Sequence, residues 1–158
     1  VDVQMSVWSP DGRTIACSQD APRAPFLLNP TLPWAQQTLQ YLPAPNNTGG
    51  MLITSWSPDG QKLIGHRQGI VTYSFVTQQY QRLTNFGQIP CWLNDNRHAV
   101  FYGDEQLHLI DTQTQQVTDI YSVAPRRLQF VSVSADNRFL ILSVNTTEAD
   151  IWLATFPE

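Results

Sequence analysis

One short segment, Trp8-Ser9-Pro10-Asp11-Gly12, returns as Trp56-Ser57-Pro58-Asp59-Gly60, and this recurrence constrains the fold more than any other feature. Two weaker copies follow, Trp92-Leu93-Asn94-Asp95-Asn96 and Val133-Ser134-Ala135-Asp136-Asn137. Counted between the aspartates, the copies lie 48, 36 and 41 residues apart. Each has turn chemistry. Pro presets the backbone, Asp bonds its own main chain, and Gly or Asn tolerates a positive φ.

The flanks repeat as well. Before each turn comes a short apolar stretch (Met5 to Trp8, Met51 to Trp56, Ile89 to Trp92, Leu128 to Val133). After it comes a second apolar run, at 14–17, 62–65, 98–101 and 139–142, and then a third, at 26–28, 70–75, 107–110 and 150–153. The first three copies add a fourth run, at 38–42, 80–84 and 117–121. A tight turn between two β-rich runs predicts a hairpin. No helical period persists over a useful length, so the chain is expected to be all-β. Four strands per repeat of about 40 residues predict a β-propeller of four consecutive blades, the last one incomplete, with bounds near 1–43, 44–85, 86–122 and 123–158.

These residues resemble the TolB-type, WD40-like propeller repeat, which has a Leu-Thr start, a Trp-Ser-Pro-Asp-Gly turn and an apolar strand. Leu83-Thr84, Pro90-Cys91-Trp92 and Ala99-Val100-Phe101 follow that order. The closing stretch, Glu148 to Leu153, is similar to the last blade of propellers appended to bacterial serine/threonine kinases and membrane-bound regulators. The third and fourth turns depart from the pattern, with Asn96 and Asn137 in the Gly place, and the first repeat carries an insertion from Asn29 to Gln37. The resemblance implies a periplasmic or extracytoplasmic binding module, either the C-terminal part of a larger propeller or, less favoured, half of a ring closed by two copies.

Composition narrows the functions. The 158 residues carry a net charge of -4 and few charged side chains (14%), so no basic stripe exists for nucleic acid. No segment is long and apolar enough to insert directly in a membrane. Cys17 and Cys91 both fall in expected strands and are read as small buried residues. His66, His98 and His108 lack zinc-motif spacing, although His98 and His108, on neighbouring strands, could share a face. No nucleophile elbow or phosphate loop appears. The expectation is therefore no catalytic residue, no cofactor and no metal.

Tryptophans 8, 56 and 92 hold equivalent places and are expected to pack between blades. Trp34, in the insertion, is either a contact anchor or folded back on the sheet. Binding on a propeller is expected at its loop ends. The second-to-third strand links and the blade-to-blade links fall on one face. That face brings together Asp20, Arg23, Asn46, Arg67, Phe86, Asp104, Glu105, Arg126, Arg127 and Glu148. Mixed charge with an aromatic fits a protein or peptide partner. The alternatives are an accessory propeller of a prolyl-oligopeptidase-like peptidase and a small-molecule or sugar binder.

Overall fold

A computed structural model of the chain describes residues 2–19, 23–43, 50–124 and 127–145. Among these the architecture is all-β, with one 3-10 turn at Trp34–Gln36. The first sheet holds β1 (Met5–Trp8), β2 (Ile15–Ser18), β3 (Phe26–Leu28) and β4 (Gln40–Tyr41). The second holds β5 (Leu52–Trp56), β6 (Lys62–His66), β7 (Ile70–Ser74) and β8 (Gln79–Arg82). The third holds β9 (Gln88–Trp92), β10 (His98–Gly103), β11 (Gln106–Asp111) and β12 (Val117–Ser122). The last has β13 (Arg127–Val133) and β14 (Leu140–Asn145). Every sheet is an antiparallel meander in chain order. The apolar run expected at 150–153 lies outside the described residues.

The sheets pack face to face in sequence, as propeller blades do, with an apolar cluster in each seam. The first seam joins Ala16 and Leu42 to Met51, Ile53, Leu63, Val71 and Tyr73. The second joins Ile64, Ile70 and Leu83 to Trp92, Ala99, Phe101 and Ile110. The third joins Tyr102 and Leu107 to Leu128, with Val131 and Leu142 packed against them. Buried area of this kind stabilises by roughly 25 cal/mol per Å2, so the seams between sheets hold the repeats together.

The three tryptophans differ, contrary to the common burial expected of them. Trp92 is 3% exposed, and Trp56 is half-buried and stacked on Phe75 with ring centroids 5.2 Å apart. Trp8 is 59% exposed, because no described sheet precedes the first and nothing described covers that face. Trp34 is also exposed. Its loop closes on itself, with Gln37 Nε2 donating to Asn29 O and Leu32 O at 2.5 and 2.8 Å.

Candidate functional site

Antiparallel meanders send alternate connections to opposite ends of the sheets, giving two rims. One rim carries the repeated turns. In the first, Ser9 Oγ donates to Asp11 Oδ1 at 2.6 Å, Arg13 N donates to the same oxygen at 3.0 Å, and Thr14 N donates to Ser9 Oγ at 2.9 Å. The Ser9 hydroxyl, and after it the Arg13 N–H, hold the Asp11 carboxyl below its usual range. The second and fourth turns repeat this at Ser57/Asp59 and Ser134/Asp136. The third has Leu93 in the Ser place, and His98 substitutes. Asp95 accepts from His98 N at 2.8 Å, and its other oxygen meets His98 Nδ1 at 2.6 Å. A bond from Thr112 N to Arg97 O, and the Arg97–Asp111 ion pair, bring the β11–β12 link to the same rim.

Neighbouring turns are fastened unequally. Asn96 Oδ1 accepts from Asp59 N across the second seam at 2.8 Å. Asn137 Oδ1 accepts from Asn94 N across the third, also at 2.8 Å, and Asn94 Nδ2 returns a bond to Ser134 O at 3.2 Å. Both asparagines have positive φ, 57° and 59°. The first seam has Gly60 in that place, and among the described residues no other residue's side-chain oxygen accepts from Asp11 N. A cleft of about 510 Å3 opens there, lined by Pro10, Asp11, Pro58 and Asp59 over Trp56.

The opposite rim holds the links expected to bind a partner. Of the residues assigned to it, Asp20, Asn46, Arg126 and Glu148 lie outside the described residues. Arg67 is half-buried, and its Nη1 donates to Gly50 O at 2.8 Å, bracing the link between the first and second sheets. Arg82 Nη1 donates to Arg67 O at 3.1 Å and to Gln68 O, closing the β6–β7 loop from below. Arg23 is exposed, with a 3.5 Å contact from its Nη1 to Gln19 Oε1. Phe86 turns edge-on to Phe101 and His108, 5.5 and 5.3 Å between ring centroids, so much of its ring is committed to packing. Arg127 is exposed at the start of β13.

Asp104 and Glu105 form a two-residue hairpin loop between β10 and β11, and both are exposed. Their φ values, 49° and 60°, fit a type I′ turn, which favours Asn-Gly. His108 fixes the residue before the tip. Its Nε2 stands 3.0 Å from Gly103 O, its Nδ1 lies 2.8 Å from Asp119 Oδ1, and its ring stacks on Phe101. Gln68, Gln78 and Gln115 also take positive φ. What sets this loop apart is two adjacent left-handed residues, both acidic, at an open tip.

Other sequence candidates are now placed. His98 opposes Asp111, and His108 opposes Phe101, three positions along β10 from His98. An odd offset puts the two histidines on opposite sheet faces, so they share no site. His66 accepts from Ile89 N at 3.2 Å through Nδ1, and burial lowers its pKa from 6.5. Ile89, β-branched and followed by Pro90, has a φ of 47°, a genuine outlier that this contact helps hold. Burial raises the pKa of both Cys17 and Cys91, and neither is in a disulfide. Among the described residues no group of three or more His, Cys, Asp or Glu is placed to hold a metal ion. No described helix is long and apolar enough to cross a membrane.

Neither a family model nor a curated protein matches this sequence. Solved structures do. A protein assigned as TolB from Agrobacterium tumefaciens aligns with a TM-score of 0.72 at 20% identity, over 90% of this chain and 56% of its own. The fold is a β-propeller of the kind TolB has. Hydrazine synthase from Kuenenia stuttgartiensis aligns with a TM-score of 0.68 at 14% identity, over 91% of this chain and 42% of its own. A structure of a nidogen/laminin complex aligns with a TM-score of 0.69 at 5% identity, over 88% and 55%. The chain spans about half the length of these structures, so it corresponds to a partial propeller. A hydrazine synthase and a nidogen/laminin complex on one fold show that architecture alone does not fix the role. The role has to be read from the rims.

Proposed function

We propose that this chain is a non-catalytic propeller module that binds a protein or peptide on its link rim, as a sensory or interaction part of a larger bacterial signalling protein. The proposed blades are 1–43, 44–85, 86–122 and 123–158. The observation that carries the reading is the Asp104–Glu105 tip. A left-handed non-Gly residue costs of order 1–2 kcal/mol. The tip keeps two carboxylates where Asn-Gly would be easier, and both stand open to solvent. Exposed strain of this kind is retained where a side chain has a use outside the fold. The preferred partner segment is basic, with Arg23, Arg67 and Arg127 on the same rim rejecting strongly cationic surfaces and so setting register. The presence of a propeller in a nidogen/laminin complex supports a protein partner.

Labelled peptides of net positive, zero and negative charge test this by anisotropy. The basic peptides are expected to bind, and the double variant Asp104→Asn, Glu105→Gly is expected to lose them while melting no lower than the native chain. Equal binding of all three peptides, or a variant that melts several degrees lower, would remove the argument.

A further inference from the structure

Two of the three seams are bridged at the turn rim by the same chemistry. In the second, the Asn96 carboxamide oxygen accepts from Asp59 N, and in the third the Asn137 carboxamide oxygen accepts from Asn94 N, both at 2.8 Å. Asn94 adds the donor half, its Nδ2 donating to Ser134 O at 3.2 Å. The turns of this chain thus hold primary carboxamides by main-chain N–H and C=O groups.

The first seam has the same kind of walls and no amide. Gly60 stands where Asn96 and Asn137 stand in the later turns, and beside it lies the cleft of about 510 Å3. That volume falls in the range of ligand pockets, roughly 300–1,000 Å3. Both walls belong to described sheets, so the cleft lies inside the chain rather than at an end of it. Its floor is fixed. Trp56 stacks on Phe75 and its Nε1 donates to Gly60 O at 3.0 Å, so the indole offers the cleft apolar surface only. Pro10 and Pro58 add apolar sides. In Asp11 and Asp59 the Ser hydroxyl and a main-chain N–H converge on Oδ1, which leaves Oδ2 for a donor from outside. Among the described residues Asp11 N has no acceptor from the second turn.

We infer that this cleft binds a peptide segment by an asparagine side chain. The carboxamide oxygen accepts from Asp11 N, as that of Asn96 does from Asp59 N, and its NH2 donates to an Oδ2 of Asp11 or Asp59. The flanking peptide lies on Trp56, Pro10 and Pro58. An aspartate in that place is repelled by the two carboxylates of the cleft, and a leucine leaves the polar groups unpaired. The site is on the turn rim, away from the Asp104–Glu105 tip, and stands independently of the basic-peptide reading.

Capped pentapeptides with Asn, Leu or Asp between alanines test this by NMR on isotopically labelled chain, read at Asp11 N–H and Trp56 Nε1–H. The Asn peptide is expected to shift both signals and to slow exchange of the Asp11 N–H. The Leu and Asp peptides are expected to bind about tenfold more weakly or not at all. Gly60→Asn supplies the amide from within the chain and is expected to weaken the Asn peptide by about tenfold. Gly60→Ala adds a Cβ that meets nothing within 4 Å, and no amide, and is expected to keep the affinity within about twofold. Circular dichroism shows whether each variant is folded, and where one is not, the three peptides on the native chain decide alone. Equal binding of the Asn and Leu peptides would overturn the inference. So would an Asp11 N–H that ignores the Asn peptide, or a folded Gly60→Asn chain that binds it as well as the native one.

Discussion

Between the first and second sheets the repeated turns face each other across a cleft over Trp56. Between the second and third, Asn96 reaches over and accepts from the Asp59 N–H. The two seams come from one repeat, and the last turn position, Gly60 in one and Asn96 in the other, decides the lateral contact. Gly60 gives its turn the easier left-handed backbone and contributes nothing sideways. Asn96 gives a slightly costlier turn and a hydrogen bond to the neighbouring blade. The copies that depart from the consensus turn are therefore the ones stitched laterally. In this propeller the local quality of a turn and the cohesion between blades trade against each other.

The largest test of that contrast compares the two tryptophans. Trp92→Ala empties a sealed seam and is expected to cost about 3–5 kcal/mol, the usual range for a buried aromatic. Trp56→Ala, at the open seam, is expected to cost about half as much, since Trp56 is already partly hydrated. Urea unfolding of both variants checks the order. Equal losses would mean that the cleft does not weaken its seam.

Next comes the asparagine itself. Asn96→Ala loses the bond to Asp59 N and places a Cβ residue without a local partner at positive φ, for about 1–2 kcal/mol. Asn96→Gly loses the bond but relaxes the backbone, for roughly half of that. A smaller effect of opposite sign is expected from Gly60→Asn. A Cβ built there meets nothing within 4 Å, and the new amide is expected to accept from Asp11 N as Asn96 accepts from Asp59 N. The gain is about 0.5–1 kcal/mol, read as a higher melting temperature.

Repeat, strand order and turn chemistry were legible in the sequence because each is local. A hairpin needs only a turn flanked by β-rich runs. The lateral role of Asn96 and Asn137 was not legible, since it depends on how one sheet is set against the next, and no short segment encodes that offset. Trp8 misled for the same reason. Its position in the repeat says which way it faces, but not whether another sheet stands there. On the link rim, Phe86 looked like a free aromatic until the fold brought His108 beneath it. The Asp104–Glu105 tip was visible as exposed charge, but its left-handed strain was hidden because Asp-Glu is not a type I′ sequence.

The smallest effect is pH-dependent and sits at the far end of the second seam. His66 accepts the Ile89 N–H only when neutral, and burial depresses its pKa below 6.5. The unfolded chain therefore binds this proton first. The stabilisation is fully present above about pH 6.5 and is lost as pH falls through the folded-state value. Urea midpoints at pH 7.5 and pH 5 should diverge in the native chain, and less in His66→Asn. An identical divergence in both would place the pH sensitivity elsewhere.

The lateral stitch is tested most directly by amide hydrogen exchange in the turns, followed by NMR. Asp59 N–H and Asn94 N–H should exchange markedly more slowly than Asp11 N–H, and the gap at Asp59 should vanish in Asn96→Gly. Similar rates at all three amides in the native chain would contradict the account.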